Sequence, residues 1–169
     1  GINVVGATTL NEIYLDLIGA KKLKTNLKIV VDKATTIADT IDNVRGQEVA
    51  KRSLVIAAAG HHNLLFHGPP GSGKTMLAKS LSGLLPELQK NEIIEATKIH
   101  SLIDSNDKII TSRPFRAPHS TASFVALIGG GSKVRPGEIS LAHNGVLFLD
   151  EIPEFSRTAL EALRQPLED

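Results

Sequence analysis

The spacing of apolar and polar positions divides the chain into a short amphipathic opening, a polar stretch with no period, and a longer run in which helix-like and strand-like segments alternate. In the opening, Ile2-Asn3-Val4-Val5 has the pattern of a short strand. Thr9-Leu10-Asn11-Glu12 has the spacing of a capping box and predicts a helix to about Ile18, stopped by Gly19. Leu10, Ile13, Tyr14 and Leu17 keep the helical period on it and need a surface to bury against. One strand and one helix cannot make a core, so residues 1–28 are expected to be the trailing end of a neighbouring domain. Residues 29–43 then form a linker.

From Val44 onward the pattern changes. Helical periods run over about Gln47–Ala59, Lys74–Leu85 and Asn91–Leu102, with a shorter helix over Thr121–Ile128 and a last one over Arg157–Arg164. Between them, Asn63-Leu64-Leu65-Phe66-His67 and Gly145-Val146-Leu147-Phe148-Leu149 are continuous apolar runs of the kind that fill a fully buried parallel strand. Lys108–Thr111 and Arg113–Arg116 read as extended, and the glycine and proline of Ser132–His143 suggest a hairpin and a turn. Strands alternating with helices indicate an α/β fold with a mostly parallel sheet, in which ligands sit at the carboxyl ends of the strands.

Both chemical motifs fall at such ends. Gly68-Pro69-Pro70-Gly71-Ser72-Gly73-Lys74-Thr75 satisfies G-x-x-x-x-G-K-[ST] at every fixed position, between a predicted strand and a predicted helix. Chance gives this pattern in roughly one chain per few hundred of this length, and the strand-to-helix setting makes a bare Gly-Pro turn less probable still. Its glycines let successive N–H groups turn inward around an anion, and the following helix adds its positive end. Lys74 can then reach the β- and γ-phosphates, and the Thr75 hydroxyl can coordinate magnesium. A phosphate loop needs a partner acid for the metal, and Asp150 closes the second apolar run. Glu151, next in line, is suited to polarise an attacking water. A solvated acidic turn is the plain alternative for that pair; the loop 75 residues earlier argues against it.

Composition narrows the classes. The 169 residues, 41% of them hydrophobic, suffice for one ordinary core. A formal charge of +1 announces no broad nucleic-acid or membrane footprint, and the absence of cysteine excludes thiol catalysis and thiolate metal sites. No apolar run is long enough to span a bilayer, so a soluble, cytoplasmic protein without a membrane partner is expected. Arg113, Arg116, His119, Lys133 and Arg135 make the densest basic stretch, a candidate track for a DNA backbone or simply solvated loop charge. His61-His62 reads as a helix cap rather than a metal site, and Asp104 and Asp107 as solvated loop acids.

Val44-Arg45-Gly46-Gln47-Glu48, the phosphate loop, Arg113–His119, Gly129–Ser132, Arg135–Glu151 and Leu163–Asp169, in that order, resemble the magnesium-chelatase-like AAA+ family in its bacterial competence branch. The likeness runs from about residue 44 to the end, and residues 1–28 are similar to the close of that family's Lon/S5-like amino-terminal domain. The resemblance implies a three-layer P-loop NTPase (AAA+) core, truncated before the lid, over residues 44–169. It implies ATP and Mg2+ as cofactors, a homo-hexamer, and DNA remodelling by a branch-migration helicase. By the same likeness Val44, Gly46, Gln47, Pro70, Gly71, Ser72, Gly73, Lys74, Thr75 and Met76 would hold the nucleotide, and Thr75 and Asp150 the metal. Lys74 and Glu151 would be catalytic, and Lys133 and Arg135, on an insertion over about Gly129–Ile139, would meet DNA. Ser120 and Val134 depart from the family pattern outside the phosphate site. The sensor, the arginine finger and the lid would lie beyond Asp169, so the chain alone is expected to bind nucleotide weakly and to hydrolyse it slowly. A magnesium chelatase motor or a Lon-type protease motor would be the alternatives.

Overall fold

A computed structural model describes residues 5–23, 41–103 and 108–168. The chain divides into two compact units, Gly1–Val31 and Asp32–Asp169. In the first, helix α1 spans Leu10–Leu17, and the Thr9 side chain accepts the Glu12 N–H at its start. The predicted reciprocal bond goes elsewhere: the Glu12 carboxylate accepts from the backbone and hydroxyl of Thr8, one residue earlier, which also holds its pKa below the usual range. The apolar stripe is present, but Leu10 and Leu17 remain about four-fifths exposed, and α1 has no buried residue. The expected opening strand lies outside the described residues except for Val5, and the expected linker does so except for Ile41–Asn43, a single 3-10 turn.

In the second unit, α2 (Glu48–Gly60) and α3 (Lys74–Leu84) pack on one another. Val44, Leu54 and Leu77 form their shared core, with Phe66, Leu81 and Leu84 against it. His61 does cap α2: its left-handed backbone donates its N–H to the Ala57 carbonyl. α4 (Lys90–Ser101) opens with a complete capping box, in which the Glu92 carboxylate accepts the Gln89 N–H at 2.7 Å.

Two short ladders follow. β1 (Phe115–Arg116) pairs in parallel with β4 (Val146–Leu147), and β2 (Gly129–Gly130) pairs antiparallel with β3 (Arg135–Pro136). Between them stand α5 (Phe124–Ile128), capped by Ser123, and α6 (Glu138–Leu141). Phe115 and Phe148 stack across the parallel pair, with ring centroids 6.1 Å apart. A second core joins Leu127, Phe155 and Ala159, with Ile139, Leu149 and Leu160 packed on it. It seats α7 (Arg157–Glu161), and α8 (Arg164–Glu168) follows.

The α/β character and the parallel pairing agree with the sequence reading, but several details do not: the run 145–149, expected to be a fully buried strand, pairs only over Val146–Leu147 and is half-buried throughout. Asn63–His67 is not a buried strand: Leu65 is 74% exposed and only Phe66 packs into the core. A strand needs a neighbour to take its N–H and C=O groups, and no described segment pairs with this one. The extended segments before Arg116 reduce to two ladder residues, because Thr97 captures the Ile110 N–H. The hairpin begins earlier than expected, at Gly129, and gives way to α6. The final helix breaks at Ala162-Leu163: the Ala162 N–H still reaches Thr158, but the Leu163 N–H makes a turn bond to the Leu160 carbonyl.

Candidate functional site

The phosphate loop leaves the extended run at Gly68 and enters α3 at Lys74. Gly71 and Gly73 have φ of +75° and +85°. A Cβ at either would meet nothing within 4 Å. Glycine is therefore needed there for its left-handed backbone and not for lack of room. Gly73 caps α3, so the 11-residue helix presents its unpaired N–H groups and positive end to the loop. The Lys74 ammonium donates to the Gly68 and Pro69 carbonyls, both at 3.0 Å. Neutral partners leave its charge uncompensated, so a phosphate oxygen would displace them with a charge-assisted bond.

Thr75, on the first turn of α3, donates its hydroxyl to the Asp150 carboxylate at 3.4 Å, across 75 residues of sequence. This bond joins the two motifs. Asp150 comes from the run that continues β4, held in line by the Phe148 N–H on the Arg116 carbonyl and by Leu149 in the second core. A hydroxyl beside a carboxylate is a hard oxygen donor set, which suits magnesium, an ion that keeps several waters and takes few protein ligands. Among the described residues no cluster of three or more His, Cys, Asp or Glu could hold a metal alone, which a site completed by phosphate oxygens does not need.

Glu151 carries a feature that apolar patterning could not show. Its φ is +53°, a left-handed conformation in a residue with a full side chain; such backbone costs on the order of 1 kcal/mol and collects at functional sites. Its N–H is taken by the Asp150 carboxylate at 3.1 Å, and its carbonyl accepts from Glu154 as the chain turns into the 3-10 segment Ile152–Glu154. Among the described residues its own carboxylate has no hydrogen-bond partner.

The other expected nucleotide residues fall into two groups. Gln47, left-handed at the start of α2, donates its side-chain amide to the Ser72 carbonyl at 3.4 Å and so touches the loop; Gly46 precedes it with φ +66°. Pro70 and Met76 are exposed on the loop and the first turn of α3. Val44 is 5% exposed and its side chain is committed to the core with Leu54 and Leu77.

The basic stretch does not act as one patch. The Arg113 side chain is 8% exposed and donates to the Pro86 and Asn144 carbonyls and to both Glu92 oxygens. Arg116 forms a two-pronged pair with Glu138 at 2.6 and 2.7 Å, which raises its pKa further. Both arginines brace the fold, a role invisible in sequence because their partners lie 21 to 31 residues away. Lys133 and Arg135 are exposed on the β2–β3 hairpin, whose turn also leaves Val134 at 90% exposure.

Residues 40–169 match the family model described as magnesium chelatase, subunit ChlI. The chain is 54% identical over 172 residues to the competence protein ComM of Haemophilus influenzae, covering 98% of this chain and 34% of that protein. It is 52% identical over 164 residues to the uncharacterized protein YifB of Salmonella typhimurium, covering 96% and 32%. A more distant match, 32% identical over 99 residues, is to an archaeal Lon protease of Halobacterium salinarum, covering 59% and 13%. The chain thus spans about a third of the length of the nearer relatives. No helix among the described residues is long and apolar enough to cross a membrane. With a phosphate loop and strand-end acid joined by one bond, and a family match over more than three-quarters of its residues, the chain belongs to the magnesium chelatase ChlI family.

Proposed function

We propose that this chain carries the nucleotide-binding part of a magnesium-dependent, hexameric ATPase with the three-layer AAA+ core, and that the full-length protein uses ATP to remodel DNA. The observation that carries the reading is the 3.4 Å bond between Thr75 and Asp150. It brings the loop hydroxyl and the strand-end carboxylate to one place, as a magnesium nucleotide requires. The loop N–H groups and the α3 terminus would bind the phosphates, with Lys74 on their terminal oxygens. Magnesium held by Thr75 and Asp150 would neutralise phosphate charge. Glu151 would take the proton of the attacking water. Gln47 would fix the loop against the base side of the pocket, where Val44 could contribute only its main chain.

DNA remodelling is the finer part of the proposal. It draws on the similarity to a protein named for competence and on the two exposed cations of the hairpin, Lys133 and Arg135. With Arg113 and Arg116 engaged internally, phosphate contacts would fall to that hairpin.

The test has two arms. Fluorescent ATP should bind this chain in a magnesium-dependent manner, and Lys74→Ala should abolish binding. In the full-length protein, Glu151→Gln should bind ATP and fail to turn it over, and forked DNA should shift in a gel only with ATP. Magnesium-independent binding, or normal hydrolysis by Glu151→Gln, would refute the site assignment. A full-length protein that hydrolyses ATP and ignores DNA would refute the remodelling role alone.

A further inference from the structure

The base of the β2–β3 hairpin is closed by glycines that leave it no slack. Gly129 pairs with Pro136 across the ladder, and a Cβ on Gly129 would meet the Arg135 carbonyl oxygen at 2.6 Å and the Gly137 nitrogen at 2.8 Å. A Cβ on Gly137 would run into the Leu127 carbonyl on α5. Backbones packed this closely transmit a displacement rather than absorb it. Glu138, the first residue of α6, follows Gly137 directly, so whatever turns the hairpin turns the start of α6 with it.

Glu138 reaches from there to β1. Its carboxylate accepts two bonds from Arg116, 2.6 Å from Nε and 2.7 Å from Nη2. Arg116 is in register with Leu147 of β4, and its carbonyl accepts the Phe148 N–H at 2.8 Å. Two residues beyond Phe148 stands Asp150, bonded to Thr75. Bonded contacts therefore run without a gap from the exposed Lys133 and Arg135 to the carboxylate at the phosphate loop. Two other connections join α6 to β4. One is Ile139, in the core that holds Leu149, but apolar packing is non-directional. The other is the chain itself through 142–145, a turn whose His143 and Asn144 side chains bond to Glu95 on α4 rather than to β1. Among the described residues, the side-chain hydrogen bonds that join α6 to β1 are those of the Arg116–Glu138 fork. A two-pronged guanidinium–carboxylate pair has a set plane and angle, so it makes α6 and the ladder turn together.

We infer that the Arg116–Glu138 pair is the strut through which DNA on the hairpin regulates hydrolysis at the phosphate loop: a load on Lys133 and Arg135 turns α6, the pair carries that turn to β1, and the ladder passes it to Asp150. Neither side chain of the pair touches nucleotide or DNA. This regulation presupposes the DNA contact and the magnesium site proposed above.

The experiment measures basal and forked-DNA-stimulated ATP hydrolysis, together with forked-DNA affinity, in the full-length protein and its Arg116→Ala, Glu138→Ala, Glu138→Gln and Arg116→Ala/Glu138→Ala variants. Residues that carry coupling between two sites change it by about 2- to 30-fold. In each alanine variant the ratio of stimulated to basal kcat should fall by such a factor. Basal kcat and DNA affinity should stay within about twofold of the parent, because the Arg116 carbonyl that holds Phe148 and the exposed cations of the hairpin survive the substitutions. The double variant should lose no more than either single one, since both remove the same bond pair. Glu138→Gln keeps the size of the side chain and one acceptor; it should show part of the loss, and it carries the test if the alanine variants do not fold. An unchanged ratio in the single variants would overturn the proposal. So would additive losses in the double variant, or a basal kcat that falls as far as the stimulated one, which is what a merely structural pair would give. A parent that binds forked DNA without faster hydrolysis would overturn this inference alone, whereas one that ignores DNA would overturn the reading beneath it.

Discussion

Replacing Arg113 by alanine removes a side chain that makes four hydrogen bonds. Its guanidinium ties four segments together: the Pro86 carbonyl after α3, Glu92 on α4, its own approach to β1, and the Asn144 carbonyl before β4. The two carbonyl bonds, at 2.5 and 2.8 Å, are short and charge-assisted, and each is worth about 1.5 kcal/mol or more. The two bonds to Glu92 are long, 3.4 Å, and water would largely replace them, so they add little. The expected loss is therefore about 3–4 kcal/mol, a large part of the 5–15 kcal/mol typical of a domain. Urea titration followed by circular dichroism measures it directly, with Arg113→Lys as an intermediate, since an ammonium cannot serve all the acceptors at once. Stability within 1 kcal/mol of the parent would refute the bracing role. A folded Arg113→Ala protein with a shallower salt dependence of DNA binding would restore Arg113 as a phosphate contact.

Three further outcomes follow from the same structure. Leu54→Ala, at a side chain with no exposed surface between α2 and α3, should lower stability by about 3 kcal/mol in the same titration. Gly145→Ala should be more disruptive than its size suggests, because the new methyl group would run into the Pro114 carbonyl that accepts the Val146 N–H; loss of β1–β4 pairing should appear as faster amide exchange at Val146 and Phe148. Glu92 and Glu95 are held below the usual glutamate pKa, Glu92 first by the Gln89 N–H and Glu95 first by the Asn144 amide. Their contribution is present above the unfolded glutamate pKa and lost as pH falls through the folded values, so the melting temperature should drop on acidification below about pH 4.5, and Glu92→Gln with Glu95→Gln should flatten that limb.

How much was legible in sequence depended on range. The phosphate loop was complete in eight consecutive residues, and the Thr9 cap followed from its spacing, although Glu12 turns to Thr8 instead of closing the box. Asp150 was placed by the apolar run before it, but only the fold brings it to Thr75. The strand at Asn63–His67 failed for the converse reason: composition can propose a strand, yet its partner is a property of the whole sheet. Arg113 and Arg116 were misread as free cations because charge is visible in sequence and the distant acceptors that engage it are not. The left-handed backbone at Glu151 had no sequence signal at all, since it occurs in a residue type that rarely adopts it.

The two hydrophobic clusters give the Thr75–Asp150 bond a mechanical meaning. Leu77 roots the helix that carries Thr75 in one cluster, and Leu149 roots the strand end that carries Asp150 in the other. A magnesium nucleotide grasping both residues would act as a clasp between two separately packed halves. At a hundred times its dissociation constant, a ligand selective for the closed arrangement favours it by about 2.7 kcal/mol. Each loss of the terminal phosphate would slacken that clasp. On the proposed reading, the first displacement that ATP could drive would be an easing of one core away from the other.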